Sequence, residues 1–148
     1  MTTDLFGTPP PTKLTLERPL AVFDLETTGV RIGTDRIIQI GIMRLLPDGS
    51  REKYQTLVNP EMPIPTEATE VHGITDADVA DSSTLKDLAP IIIEELAGCD
   101  LSGFNLLRFD VPFLAEELHR VGFEWDHASS RIVDVQRIYH KMEPRNLS

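Results

Sequence analysis

Apolar positions along the chain fall into short blocks separated by turn-forming residues. Residues 20–25, LAVFDL, form an apolar run that stops at Thr27-Thr28-Gly29. Such a run, bounded by a turn signal, suits a strand buried on both faces. Residues 36–46 and 51–58 are again β-rich, and Pro47-Asp48-Gly49 lies between them. Proline fixes φ and glycine tolerates φ > 0, so this spacing predicts a hairpin. Three consecutive strands are therefore expected to form an antiparallel meander.

Past Asn59 the pattern changes period. Pro60, Pro63 and Pro65 hold a loop extended up to Thr66, the expected N-cap of a short helix through His72 that Gly73 closes. Leu85, Leu88, Ala89, Ile92, Ile93 and Leu96 recur at helical spacing. Ser82 or Ser83 is the expected cap, Gly98 the stop, and Pro90 predicts a kink or a late start. Residues 99–104 read as a strand. Residues 110–121 read as a helix with Pro112 in its first turn and Gly122 past its end. Residues 131–135 read as a fifth strand and 136–142 as a helix. The order β-β-β-α-β-α-β-α predicts an α/β fold: a mixed five-stranded sheet with helices on both faces, the ribonuclease H-like layout.

Composition narrows the class. A chain of 148 residues with 41% hydrophobic content suits one domain. Residues 1–18, with Pro9, Pro10 and Pro11 in a row, are expected to be a flexible tail before a domain at 19–148. No apolar run approaches the ~20 residues of a membrane span and the start lacks the features of a signal peptide, so the expectation is a soluble, cytoplasmic protein without membrane partners. Cys99 is the only cysteine, which excludes an internal disulfide and a thiolate zinc cage. A net charge of −10 argues against a nonspecific duplex-DNA binder. The excess is concentrated in residues 61–100, where one basic side chain, Lys86, faces ten acidic ones.

Two acids stand apart from that solvated surplus. Asp24 and Glu26 lie two residues apart at the end of the first strand, so both point to one face with Cα atoms about 6.6 Å apart. Two carboxylates on a central strand repel each other and resist burial, and a shared cation relieves both costs. Asp110 opens the 110–121 helix, where its simplest role is an N-cap. Asn105 stands at the carboxyl end of the fourth strand, the usual place for ligands in such sheets. Three carboxylates converging there would select a hard divalent ion such as Mg²⁺ or Mn²⁺.

Asp24-Leu25-Glu26-Thr27-Thr28-Gly29, then Val71-His72-Gly73-Ile74-Thr75, then Gly103-Phe104-Asn105 with Phe109-Asp110 resemble the motifs of the DEDD family of 3′→5′ exonucleases, DNA polymerase III epsilon-subunit type. The resemblance spans about residues 19–147. It implies metal-dependent release of nucleoside monophosphates from the 3′ end of single-stranded or frayed nucleic acid by two-metal hydrolysis, with two Mg²⁺ or Mn²⁺ ions. It assigns Asp24, Glu26 and Asp110 as catalytic metal ligands, and Thr27, Thr28, Glu67, His72, Asn105 and Phe109 to the substrate, with Phe113 as another wall. Glu67 would contact the terminal 3′-hydroxyl and His72 the terminal nucleotide. Asp134 matches an acid at the end of the family's fifth strand and is a further candidate. The implied partner is the 3′ end of DNA or RNA, with a DNA polymerase or replication factor as a second.

The sequence departs from the family in two places. Phe104 stands where relatives carry a histidine, and Asn105 is one residue further from Asp110 than in many of them. The family's last motif, a histidine followed five residues later by an aspartate, has no counterpart, so the expectation is a portion of a longer exonuclease, lacking its C-terminal helix and nearly inactive alone. A degenerate nuclease-like domain acting as a binding or docking module is the alternative. An aspartate-nucleophile phosphatase is disfavoured, because it predicts a second Asp where Glu26 stands and a helix where residue 36 onward is strand-like.

Overall fold

A computed structural model describes residues 16–103 and 107–133. Strands β1 (Leu20–Thr27), β2 (Ile37–Leu45) and β3 (Arg51–Leu57) form the expected meander. The β2–β3 turn is closed by Asp48, whose Oδ1 accepts from the Ser50 backbone N–H at 2.9 Å. Helices α1 (Thr66–His72), α2 (Asp76–Val79) and α3 (Leu85–Leu96) follow, then β4 (Asp100–Ser102) and α4 (Leu107–Arg120). The sheet order is β3-β2-β1-β4, with β4 parallel to β1.

The sheet has four strands among the described residues, where five were expected. The fifth position is marked by a single parallel bridge between Leu101 and Ile132. Asp100, 4% exposed, ties that segment down by accepting from the Arg131 backbone N–H at 2.9 Å and from its guanidinium at 3.1 and 3.2 Å. The remainder of the predicted fifth strand and the helix at 136–142 lie outside the described residues, as does the predicted tail up to residue 15.

Local chemistry corrects several boundaries. Thr84, rather than Ser82 or Ser83, caps α3 by accepting from the Asp87 N–H. Pro90 does not interrupt α3; it sits on the exposed side, where water can take the carbonyl it leaves unpaired. Helix α1 begins at Thr66 with Pro65 as its N-cap residue, and Gly73 closes it in the left-handed region at φ 77°. The short α2 escaped sequence reading because four residues carry no periodicity; a reciprocal Thr75–Asp78 capping box holds it. Helix α4 starts three residues earlier than expected, which makes Asp110 its fourth residue rather than its cap.

Helices α3 and α4 cover one face of the sheet. Ala21, Phe23 and Leu25 of β1 and Ile40 and Ile42 of β2 pack against Leu88, Ile92, Phe113, Leu114 and Leu118. On the opposite face, Leu20, Val22 and Met43 pack with Leu16, Leu45 and Val133, and no residue of a described helix joins them. The buried stripe of α4 contains two acids, Asp110 and Glu117. Glu117, 1% exposed, accepts from Arg120 Nε at 3.0 Å and from the Ile37 N–H at 3.4 Å, and pairs with Arg36 at 3.6 Å. One carboxylate thus fixes α4 against the start of β2. Glu117→Ala should cost about 3 kcal/mol in urea unfolding, the lower end for a broken buried pair because both guanidinium groups keep access to water; Glu117→Gln should cost less.

Candidate active site

Strand β1 is paired on both sides only at its beginning. β4 matches Leu20, Ala21 and Val22 and then ends, whereas β2 accompanies β1 as far as Thr27. The stretch carrying Asp24 and Glu26 therefore runs past the end of β4, leaving one edge open at the carboxyl end of the central strand. Both acids are half-buried. Asp24 Oδ1 accepts from the Leu25 N–H at 3.1 Å.

Helix α4 brings the third acid to them. Asp110 is 4% exposed, and its carboxyl is pushed up to about 7, first by burial and then by the charges of Asp24 and Glu26. Burial also raises Asp24, and burial followed by the charge of Asp24 raises Glu26. Among the described residues no basic group contributes to any of the three shifts. The donor set is all oxygen and strongly anionic, and a hard divalent ion suits that chemistry. Among the described residues no three acids or imidazoles stand at the spacing of a finished coordination shell.

Beside the acids lies a cleft of about 540 Å³ between the turn after β1 and helix α1. Glu26, Thr27 and Thr28 line one wall; Glu67, Ala68, Val71 and His72 line the other. Glu67 and Val71, Ala68 and Val71, and Ala68 and His72 are three or four residues apart in α1, so they lie side by side on the helix surface. Val30 and Val71, 79% and 84% exposed, stand at the cleft on opposite walls. His72 Nδ1 accepts from the Ile74 N–H at 3.1 Å, which assigns the proton of the neutral ring to Nε2. That Nε2 is buried and has no hydrogen-bond partner of good geometry among the described residues. Burial lowers the His72 pKa, and the Thr27 backbone, which favours the charged ring, offsets only part of that.

Sequence reading missed Asp35, which builds the turn. Its Oδ1 accepts from the Thr28 hydroxyl at 2.9 Å and its Oδ2 from the Arg31 N–H at 2.9 Å. The Thr28 oxygen in turn accepts from the Arg36 N–H at 2.9 Å. Gly29 makes this closure sterically feasible, because a Cβ there would lie 2.5 Å from Asp35 Oδ2. The only sequence signal was Asp35 six residues past that glycine. The other candidates are placed as follows. Phe109 is half-buried with its ring tilted on Phe113 at 5.0 Å. Phe113 is fully buried in the core and cannot wall a site. Asn105 and Asp134 lie outside the described residues.

The raised Asp110 makes a signed prediction. An acid that binds its proton more tightly when folded stabilises the fold at low pH and loses that contribution as pH rises. The metal-free protein should therefore lose melting temperature between pH ~4 and about 7, from the free carboxylate range up to the folded value. Asp110→Asn should flatten that slope in a pH series of thermal unfolding curves.

Residues 21–147 match the family described as Exonuclease, RNase T type. The chain is 38% identical over 110 residues to a DNA polymerase III subunit epsilon-like protein of Rhodobacter capsulatus, covering 72% of this chain and 15% of that one. It is 30% identical over 122 residues to the PolC-type DNA polymerase III of Caldanaerobacter subterraneus subsp. tengcongensis, covering 82% and 9%. Its fold matches E. coli exonuclease I solved with a dT13 oligonucleotide, at TM-score 0.71 and 19% identity over 89% of this chain and 32% of that one. The chain thus spans only a small part of the length of these relatives. A β1 acid pair met by an acid of α4, beside a Thr-Thr-Gly turn, accompanies a match over nearly the whole chain: the protein belongs to the RNase T exonuclease family.

Proposed function

We propose that this chain is a metal-dependent 3′→5′ exonuclease domain that releases nucleoside monophosphates from the 3′ end of single-stranded or frayed nucleic acid. The observation that carries this reading is the meeting of Asp110 with Asp24 and Glu26 at the open end of the central strand. These three acids would hold two divalent cations, Mg²⁺ or Mn²⁺. When bound, the cations supply positive charge to the phosphodiester under attack, in a site where burial strengthens every electrostatic contact.

The chain's own residues position the strand. The Thr27–Thr28 turn, fixed by Asp35, offers backbone to the terminal nucleotide. Glu67, exposed on the facing helix, is placed to accept from a terminal 3′-hydroxyl. His72, kept neutral by burial, adds a flat ring to the same wall. A cleft of about 540 Å³ has room for one unpaired nucleotide. Among the described residues no helix is long and apolar enough to cross a membrane. The relatives named as DNA polymerase III components support a polymerase as partner, and exonuclease I solved with an oligonucleotide supports a single-stranded substrate.

The test is hydrolysis of 3′- against 5′-labelled DNA and RNA oligonucleotides with Mg²⁺ or Mn²⁺. Nucleotides should leave from the 3′ end only. Asp24→Ala should lower kcat by at least about 10²-fold, the scale for losing one group that stabilises transition-state charge. The variant should stay folded because one source of repulsion is gone. Undiminished hydrolysis by Asp24→Ala would refute the assignment, and binding without hydrolysis by the unaltered protein would favour a docking module.

A further inference from the structure

Acids outnumber cations along the cleft, and one arginine lines it without a carboxylate partner among the described residues. Glu26, Asp35 and Glu67 line it, in a chain of net charge −10, so an incoming nucleic-acid strand meets repulsion. Arg31 lines the same cleft and is exposed. Among the arginines whose side chains are described, Arg18, Arg36, Arg44, Arg120 and Arg131 each pair with a carboxylate. Arg31 and Arg51 do not, and of those two only Arg31 lines the cleft.

Asp35 holds the backbone at Arg31 rather than its guanidinium: Oδ1 accepts from the Thr28 hydroxyl and Oδ2 from the backbone N–H of Arg31 itself. Asp35 therefore fixes where Arg31 leaves the backbone, while its charged end pairs with no carboxylate of the described residues. The Arg31 carbonyl also accepts from the Asp35 N–H at 2.9 Å, closing the turn from both sides. A cation on an anchored backbone at the edge of an acidic cleft is suited to one phosphate, because a guanidinium meets phosphate oxygens in a two-pronged fashion.

We propose that Arg31 binds a phosphodiester of the strand at the mouth of the cleft and so sets how that strand enters. This rests on the reading of the cleft as a nucleic-acid site. It assigns Arg31 to substrate positioning, separate from the acids.

The test is fluorescence anisotropy of 5′-fluorescein oligo(dT) and oligo(rU), titrated over a series of NaCl concentrations with the unaltered protein, Arg31→Ala and Arg31→Lys. Arg31→Ala should weaken Kd about three- to tenfold, between an exposed ion pair and a full charged hydrogen bond. Its log Kd against log salt should lose about 0.7 of slope, the share of one phosphate on a single strand. Arg31→Lys should keep the slope and recover part of the affinity. Equal effects on dT and rU identify the shared phosphodiester; a loss confined to rU would overturn the proposal in favour of a 2′-hydroxyl contact. Melting temperature should not move, because the side chain has no partner in the fold. If the unaltered protein binds and hydrolyses these strands while Arg31→Ala keeps the same Kd and slope, the Arg31 assignment alone falls. If the unaltered protein neither binds nor hydrolyses them, the reading of the cleft falls with it.

Discussion

Three carboxylates, buried or half-buried around the end of one strand with no basic group among the described residues to offset them, set the terms for the rest of this structure. Asp24 raises the proton affinity of Glu26, both raise that of Asp110, and burial raises all three. A protein evolves toward pairing such charges or losing them, unless something positive is meant to enter. The contrast within α4 makes the point. Glu117, on the same buried stripe and two turns on, is satisfied by two arginines and a backbone N–H. The charged groups acting on Asp110 among the described residues are Asp24 and Glu26, both acids. Glu117 is paired and Asp110 is not.

The scaffold around that site is built to hold strain of this kind. Phe23 and Leu25 alternate with Asp24 and Glu26, so the apolar residues that fix β1 under the helices also fix the acids. Phe113, Leu114 and Leu118 seat α4 on the same core, which sets where Asp110 falls. Glu117 connects that helix to Arg36, and the backbone of Arg36 connects to Thr28. A continuous chain of polar contacts therefore runs from the helix carrying Asp110 to the turn lining the cleft. Rigid positioning of this sort is what an electrostatic site requires, since preorganised groups need no rearrangement when charge develops.

The cleft itself uses backbone more than side chain. Gly29 gives up its Cβ so that Asp35 can fold under the turn, and Gly73 takes a left-handed conformation so that the chain can return to His72. The two walls thus meet through residues chosen for absence of bulk. Apolar Val30 and Val71 are left exposed, a cost that a passing nucleotide can offset.

Much of this was legible before folding. The alternation in LAVFDLET specified a buried strand with Asp24 and Glu26 on one face, because strand periodicity is local and strict. Pro-Asp-Gly specified the hairpin, and the stripe from Leu85 to Leu96 specified a helix, though its cap is Thr84 and Pro90 lies within it. Asp110 was ambiguous, since a lone acid near a helix start reads equally as a cap; its company was decided by packing the 83 residues between Glu26 and Asp110. Glu117 and Asp35 carried no readable mark, because their partners Arg36, Ile37 and Thr28 are distant in sequence or joined through backbone groups that every residue possesses. Local periodicity therefore determined the elements and the paired acids, whereas long-range burial decided which charges meet a counter-charge and which meet only like charge among the described residues.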